Sequence, residues 1–440
     1  MKRNSSYNLV GKFSLLTFHF SLLLFSLSSF AQGGTVSPYS QYGLGEMAQR
    51  GGGLNQGMNG LGIGVHRSYL VNPLNPASYA SVDSLTMLFD VGMSGQITNF
   101  SDHGKKDKTQ TASFEYVMGS FRLADNMGLT FGILPLTNVG YNYSTSNRLD
   151  EETTVATTYK GDGGLHQVFV GFGARPLKPL SVGVNVGYVW GGYDRFIVAN
   201  SGSTVNRLAK YYSATVNNYT LDFGVQYDQR IGKSDLLTVG LTYGLGHKLG
   251  ADAECRVISS NSSVSKNDTT LLTVKNALEL PHTVGAGFSY SHGAKWLLGA
   301  DVQAQLWNKT KFPDYVNGQY TLRSDLLDNS YKFTLGGEYC PRWNSRNLFQ
   351  RIHYRFGAGY TTPYYKINGQ TGPRQISATV GFGIPIANSY ISRTSLFFPF
   401  VNISAQYVNN QASGMIKENI FRINIGLTFN ERWFAKWKVE

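Results

Sequence analysis

The sequence predicts an all-β protein, a transmembrane antiparallel β-barrel of about 14 strands with a Gly-rich N-terminal plug. Three observations carry that prediction. First, two-residue alternation recurs along the chain: Tyr219, Leu221, Phe223, Val225 and Tyr227 alternate with Thr220, Asp222, Gly224, Gln226 and Asp228. Successive strand side chains point to opposite faces, so each such segment is a ribbon with one oily and one polar side. Second, the 440 residues include 27 Tyr, 26 Phe, 6 Trp and 50 Gly, yet only 15% are charged. A soluble domain of this length carries about a quarter charged residues, and at 42% hydrophobic content disorder is excluded. Third, tight and long connections alternate, as the inner turns and outer loops of a membrane barrel do.

The chain opens on a secretory signal. Lys2, Arg3 and Lys12 supply the positive start, residues 15–30 the apolar stretch, and Ser29 with Ala31 the small-residue cleavage site. Residues 1–31 are therefore expected to be removed, which lowers the formal charge of +12 by three. With no basic block and an exported destination, nucleic acid is not an expected partner. No later stretch reaches the eighteen or so apolar residues of a spanning helix.

Residues 32–83 form the expected hatch or plug, rich in Gly but holding Tyr39, Tyr42, Leu44, Met47, Leu61 and Ile63, which call for packing. Residues 84–429 form the expected barrel. Its strands fall near 84–99, 110–123, 127–145, 165–175, 180–197, 211–231 and 235–256, then 270–290, 295–308, 329–340, 350–364, 374–386, 397–408 and 417–429. Turns after the second, fourth, sixth and eighth strands are tight, as at Asp125-Asn126, whereas residues 102–108, 144–164, 256–269 and 308–324 read as long polar outer loops. The tenth and twelfth connections, near 341–349 and 387–396, are longer than periplasmic turns usually are. Residues 430–440 form a tail in which Trp433, Phe434 and Trp437 sit beside basic residues, a periplasmic interfacial composition. A soluble sandwich would also alternate, but it would place charges on its polar faces; here those faces are poor in charge and rich in Gly, Ser, Thr and Asn.

Asn75-Pro76-Ala77, closing the Gly-rich segment just before the first strand, and residues 280–290 from Leu280-Pro281 to Tyr290, followed by Trp296, Asp301 and Trp307, resemble the long-chain fatty acid transporter (FadL-like) family of outer-membrane barrels. The resemblance implies a hatch inside a fourteen-stranded barrel and passive movement of small hydrophobic compounds sideways through a gap at a strand kink. Pro135, inside the third strand, is the matching kink candidate; as a residue without a ladder donor it reads equally as a simple bulge. The long loops lack the family's apolar ligand-catching segments. The family also holds secretion-system components, so the alternative is a non-transporting barrel acting as a surface or secretion-system interaction protein.

Lumen-facing charge is expected at Asp222, Asp228, Asp301, Glu338, Arg351, His353, Arg355 and Arg422, either neutralising one another and fixing the plug or lining a solute path. Enzyme chemistry is not expected: the candidate His and Ser pair, in His66-Arg67-Ser68, lies in the hatch, and no His pair has zinc spacing. No catalytic residue, metal or cofactor is called for. The expected partners are outer-membrane lipid, small hydrophobic ligands and secreted or envelope proteins, and the expected location is the bacterial outer membrane.

Overall fold

The computed structural model describes residues 34–84, 86–148, 154–200, 207–261, 266–386 and 399–431. The expected signal peptide, residues 1–31, and the aromatic tail from residue 432 onward lie outside the described residues.

Fourteen antiparallel strands close into a barrel, as the alternation predicts. In chain order they are β1 (Met87–Asp102), β2 (Lys105–Ala124), β3 (Met127–Arg148), β4 (Thr154–Leu177), β5 (Leu180–Asn200) and β6 (Arg207–Ile231). Then β7 runs in two pieces, Asp235–Gly244 and Ala253–Asn261, and β8 in two, Lys266–Val274 and Thr283–His292. Last come β9 (Trp296–Gln305), β10 (Ser330–Tyr339), β11 (His353–Thr361), β12 (Arg374–Pro385), β13 (Phe400–Gln411) and β14 (Lys417–Glu431). Each strand pairs with its sequence neighbours, and β1 pairs with β14 from Met87↔Glu431 to Ser101↔Lys417, so the sheet is a ring.

The two faces separate as the sequence requires. Outward residues such as Val170, Val186, Leu241, Leu335, Val380 and Ile425 are exposed, while inward Asp90, Ser120, Thr130, Asn185, Gln226 and Thr428 are buried. Facing water, each large outward side chain would forgo roughly 1.5–3 kcal/mol of burial; facing lipid it forgoes nothing. This is a transmembrane barrel of the bacterial outer membrane.

Strand lengths are unequal. β3 to β6 have 22, 24, 21 and 25 residues, whereas β9, β10 and β11 have 10, 10 and 9. A tilted spanning strand needs about 9–11 residues, so one side of the barrel continues past the membrane as a wall. The tight turns fix the other ends of these strands, which places the surplus on the outer side. Here the sequence expectation is corrected. Residues 144–164 and 256–269 are largely strand, with β3 running to Arg148 and β4 starting at Thr154. Residues 102–108 reduce to a turn at His103-Gly104, and residues 308–324 hold a separate hairpin, Phe312–Val316 with Gln319–Arg323. Beyond the bilayer a strand no longer needs an oily face, so its alternation fades.

Midway up, both β7 and β8 bend inward together, and Glu279-Leu280 still pairs with Lys248 and His247 across the bend. The bend carries Leu249, Ala251, Ala277 and Leu278 into the largest apolar cluster, which fills the outer half of the barrel with Tyr193, Trp307, Phe312, Tyr320 and Tyr364. Two smaller clusters lie lower, one around Tyr79, Tyr116 and Leu134 and the other around Leu54, Met58 and Leu61. Cys255 and Cys340 are both free and buried.

Candidate functional site

Every neighbouring pair of barrel strands is laddered, but β2 and β3 are joined only at their lower ends. Their pairing runs from Ala124↔Met127 to Val117↔Ile133 and stops. Above that point β2 continues to pair with β1 as far as Asp102↔Lys105, and β3 with β4 as far as Arg148↔Thr154. A seam therefore opens in the wall. Two irregularities flank its lower end: Glu115 drops out of the β1–β2 register between Phe114 and Tyr116, and Leu136 drops out of the β3–β4 register between Pro135 and Thr137. Bulges bend and twist the strand that carries them, and Pro135 cannot donate to a ladder. The kink candidate thus coincides with a bulge at the seam.

Residues 34–48 stand behind this opening as a strap. Glu46 and Met47 pair antiparallel with Asn138 and Thr137 on the free edge of β3, and the Ala48 amide donates to the Leu136 carbonyl at 3.1 Å. Higher up, the Gly140 amide donates to Ser40 Oγ at 3.1 Å. The strap also reaches the opposite side, where Ser37 Oγ donates to Glu418 at 2.6 Å. A Cβ on Gly34 would stand 2.7 Å from Ser113 Oγ of β2, so the strap reaches both edges of the seam. Burial pushes the Tyr42 hydroxyl up to about 12.

Inside the strap lies a cavity of about 310 Å³, lined among others by Met47, Glu115, Leu136, Asp222, Trp307 and Lys332. Its lining mixes apolar and polar groups. Arg50 meets Asp222 at 2.8 Å, and the neighbouring carboxylate holds the guanidinium more firmly protonated than usual, outweighing burial. The Lys332 side chain makes neither a hydrogen bond nor an ion pair among the described residues; its ammonium faces the cavity near Gly60 and is attracted by the Asp301 carboxylate.

The remaining sequence-predicted residues fall into three groups. Asn75 caps the short 3-10 helix Pro76–Ser81: its side chain accepts from the Ala77 amide at 3.1 Å and donates to the Ile63 carbonyl at 2.8 Å and the Val225 carbonyl at 3.2 Å. This turn lies directly on strand glycines, because a Cβ on Gly224 would sit 2.0 Å from Asn75 Oδ1 and one on Gly183 2.3 Å from Pro76. Asp301 accepts from the amides of Gly62 and Ile63 at 2.7 and 2.9 Å, and Asp228 receives Thr238 at 2.8 Å with His66 and Arg175 at 3.6 Å. Burial lowers the His66 pKa against the opposing pull of Asp228. These contacts tie residues 50–77 to the inward strand faces.

In the second group Glu338, buried, meets Arg355 at 2.8 Å and His353 at 3.1 Å, and Arg355 also donates to Asn402 at 2.6 Å. Arg422 donates to Gln96 at 2.8 and 3.0 Å. The third is a correction. Arg351 does not share a ladder with His353 and Arg355: Asn347 accepts from the Phe349 amide and starts the short helix Leu348–Arg351, so the strand begins only at His353.

Glu115, Lys332 and the strap pairing at Glu46 and Met47 were not foreseen. Lys332 was within reach, since Tyr331, Phe333 and Leu335 point outward and alternation turns it inward. A two-residue pairing has no period to detect.

A family model named BamG matches residues 15–440. No curated protein matches the sequence. Among solved structures, the CymD monoaromatic hydrocarbon channel is similar at 14% identity and a TM-score of 0.59, over 90% of this chain and 100% of that one. The Ralstonia pickettii toluene transporter TbuX is similar at 13% and 0.59, over 87% and 98%, and a Pseudomonas aeruginosa FadL homologue at 9% and 0.60, over 87% and 99%. At such identities the likeness establishes the fold, and it is the fold that the FadL-like resemblance implied.

Proposed function

The chain belongs to the BamG family, and from that premise we propose that it is an outer-membrane channel through which small hydrophobic compounds pass sideways between the cavity and the bilayer. The observation that carries the reading is the seam: the β2–β3 ladder ends at Val117↔Ile133, just below Glu115 and Leu136 of the cavity lining. Solved proteins of like fold include a monoaromatic hydrocarbon channel and a toluene transporter, which fits such a cargo. In this reading residues 34–81 occlude the lumen below, and passage is passive, down a gradient. The cavity-facing Lys332 ammonium, without an ion pair among the described residues, and the Arg50–Asp222 pair suit compounds with an apolar body and one polar group better than a bare hydrocarbon.

The test is uptake of a panel of labelled apolar and amphiphilic compounds by cells with and without the gene. Faster uptake of a subset, in cells with the gene, is expected.

A second reading has its own observation. The outer half of the barrel is packed with Tyr193, Trp307, Phe312 and Tyr364, and the strap is hydrogen-bonded along the seam. A sealed barrel with a tall outer wall suits a non-transporting protein that holds a secreted or envelope partner. Equal uptake across the panel, with one protein partner recovered by crosslinking, selects this reading and removes the first.

A further inference from the structure

The tenth connection is far longer than the other described periplasmic turns, and neither functional reading uses it. Residues 340–352 join β10 to β11, where Lys178-Pro179 suffices between β4 and β5. The segment is firmly built. The Arg342 amide donates to the Gln350 carbonyl at 2.8 Å, Ser345 Oγ donates to Gln350 Oε1 at 2.6 Å, and Asn347 caps the helix. Yet this ordered turn holds Leu348 at 41% exposure and Phe349 at 70%, the highest of any large apolar side chain described. Ile352 of the same segment is buried, so an ordered turn that nonetheless displays two large apolar side chains is built around something outside the chain.

Its position says what. Trp296, Tyr339, Tyr354 and Phe382 are successive cross-strand partners on β9, β10, β11 and β12, so four aromatics form one row across the outer face at the periplasmic rim. They pack in pairs: the ring centroids of Trp296 and Tyr339 stand 4.2 Å apart, and those of Tyr354 and Phe382 meet edge-on at 5.9 Å. Such a row is the aromatic belt of a membrane interface. Tyr354 Oη donates to the Phe349 carbonyl at 2.9 Å, which hangs the short helix directly beneath that row. Exposed Arg342 and Arg346 flank it, and residues 341–352 contain no acid.

We propose that residues 341–352 form a lipid-binding foot: Leu348 and Phe349 insert among the phospholipid chains of the periplasmic leaflet, and Arg342 and Arg346 meet the headgroup phosphates. The partner is a glycerophospholipid, matched by its apolar chains to the exposed pair and by its phosphate to the arginines. The foot fastens the short-strand side of the barrel to the inner leaflet, whether or not anything passes through the seam.

The test uses the full chain in phosphatidylethanolamine and phosphatidylglycerol vesicles, with Phe349→Cys or, should that variant fold poorly, Leu348→Cys, carrying a nitroxide; the native cysteines are buried. Power saturation compares collision with oxygen, which concentrates in lipid, and with a water-soluble nickel chelate. A several-fold higher oxygen-to-nickel ratio at position 349 than at an Asn344→Cys control supports the foot, and equal ratios overturn it. Adding Arg342→Glu and Arg346→Glu should lower the ratio at least twofold; no change removes the arginines from the proposal. A photo-crosslinker at position 349 should capture lipid in cells, and capture of a protein instead overturns the lipid assignment.

Discussion

Arg355 lies 2.8 Å from Glu338 across the β10–β11 ladder, and their side chains retain only 1% and 4% of their exposure. His353 joins the same carboxylate at 3.1 Å. Removing the anion alone strands buried cations. Glu338→Ala should therefore cost roughly 3–5 kcal/mol, whereas the paired Glu338→Leu with Arg355→Met should recover much of that loss. Urea unfolding of the refolded barrel, read by heat-modifiable gel mobility, distinguishes the two; equal losses would refute the pairing argument.

The strap should be lockable. Met47 and Thr137 are register partners, and antiparallel partners stand about 4.5–5.5 Å apart at Cα, within the reach of a disulfide. Met47→Cys with Thr137→Cys should oxidise readily, abolish uptake of whatever panel compound the native protein takes up, and regain it on reduction. Uptake that persists with the bond formed would show that cargo does not use the seam.

If residues 34–81 occlude the lumen, deleting them should leave a folded barrel with a large water-filled conductance, because the inward strand faces are polar. Planar-bilayer recordings of the full and shortened proteins provide the comparison. Equal conductance would show that the segment does not seal the pore.

Neighbouring positions on β14 should differ in kind. Ile425→Arg puts a charge on the lipid face and should cost roughly 2–4 kcal/mol. Alternation alone would make Gly426→Ser harmless, but a Cβ there would stand 2.6 Å from Tyr116 Oη, so that substitution should also destabilise the barrel. Gly95→Ala, with nothing within 4 Å, is the neutral control. A stable Gly426→Ser variant would mean that Tyr116 yields readily.

The thiols should be silent. Cys255 lies in the outer piece of β7, at 0% exposure, and Cys340 follows β10, at 1%. A maleimide should modify neither until the barrel unfolds, although Cys255 lies on the outer side as the strand order predicts. Rapid labelling of either in the native protein would contradict the packing.

What the sequence discloses ends where the bilayer ends. Strands within the membrane announce themselves because lipid demands one apolar face, as at Phe421, Ile423, Ile425 and Leu427. The extensions of β3 and β4 past Tyr143 and Tyr159 do not, since water on one side and packed protein on the other tolerate any residue. At the seam only Pro135 left a mark. Glu115 is the extra residue of a bulge, unmatched because Gly92 pairs with Tyr116 and Met93 with Phe114, a property of the two-strand register that no single segment reveals. Asp222 and Asp301 were placed inward by alternation, but their contacts, Arg50 and the Gly62 amide, depend on how an irregular glycine-rich chain winds, which has no period.

The ring is completed by strands from opposite ends of the barrel sequence: β1 waits for β14 before Met87 meets Glu431 and Ser101 meets Lys417. Until then the sheet has two bare edges, each able to recruit a foreign strand, and joining ends so distant in sequence is slow. The moment of greatest hazard in the life of this molecule is therefore late in its making. A chain cut short before Lys417 would leave an open ribbon with sticky margins rather than a smaller barrel, so the last strand acts as the clasp on which the rest of the assembly depends.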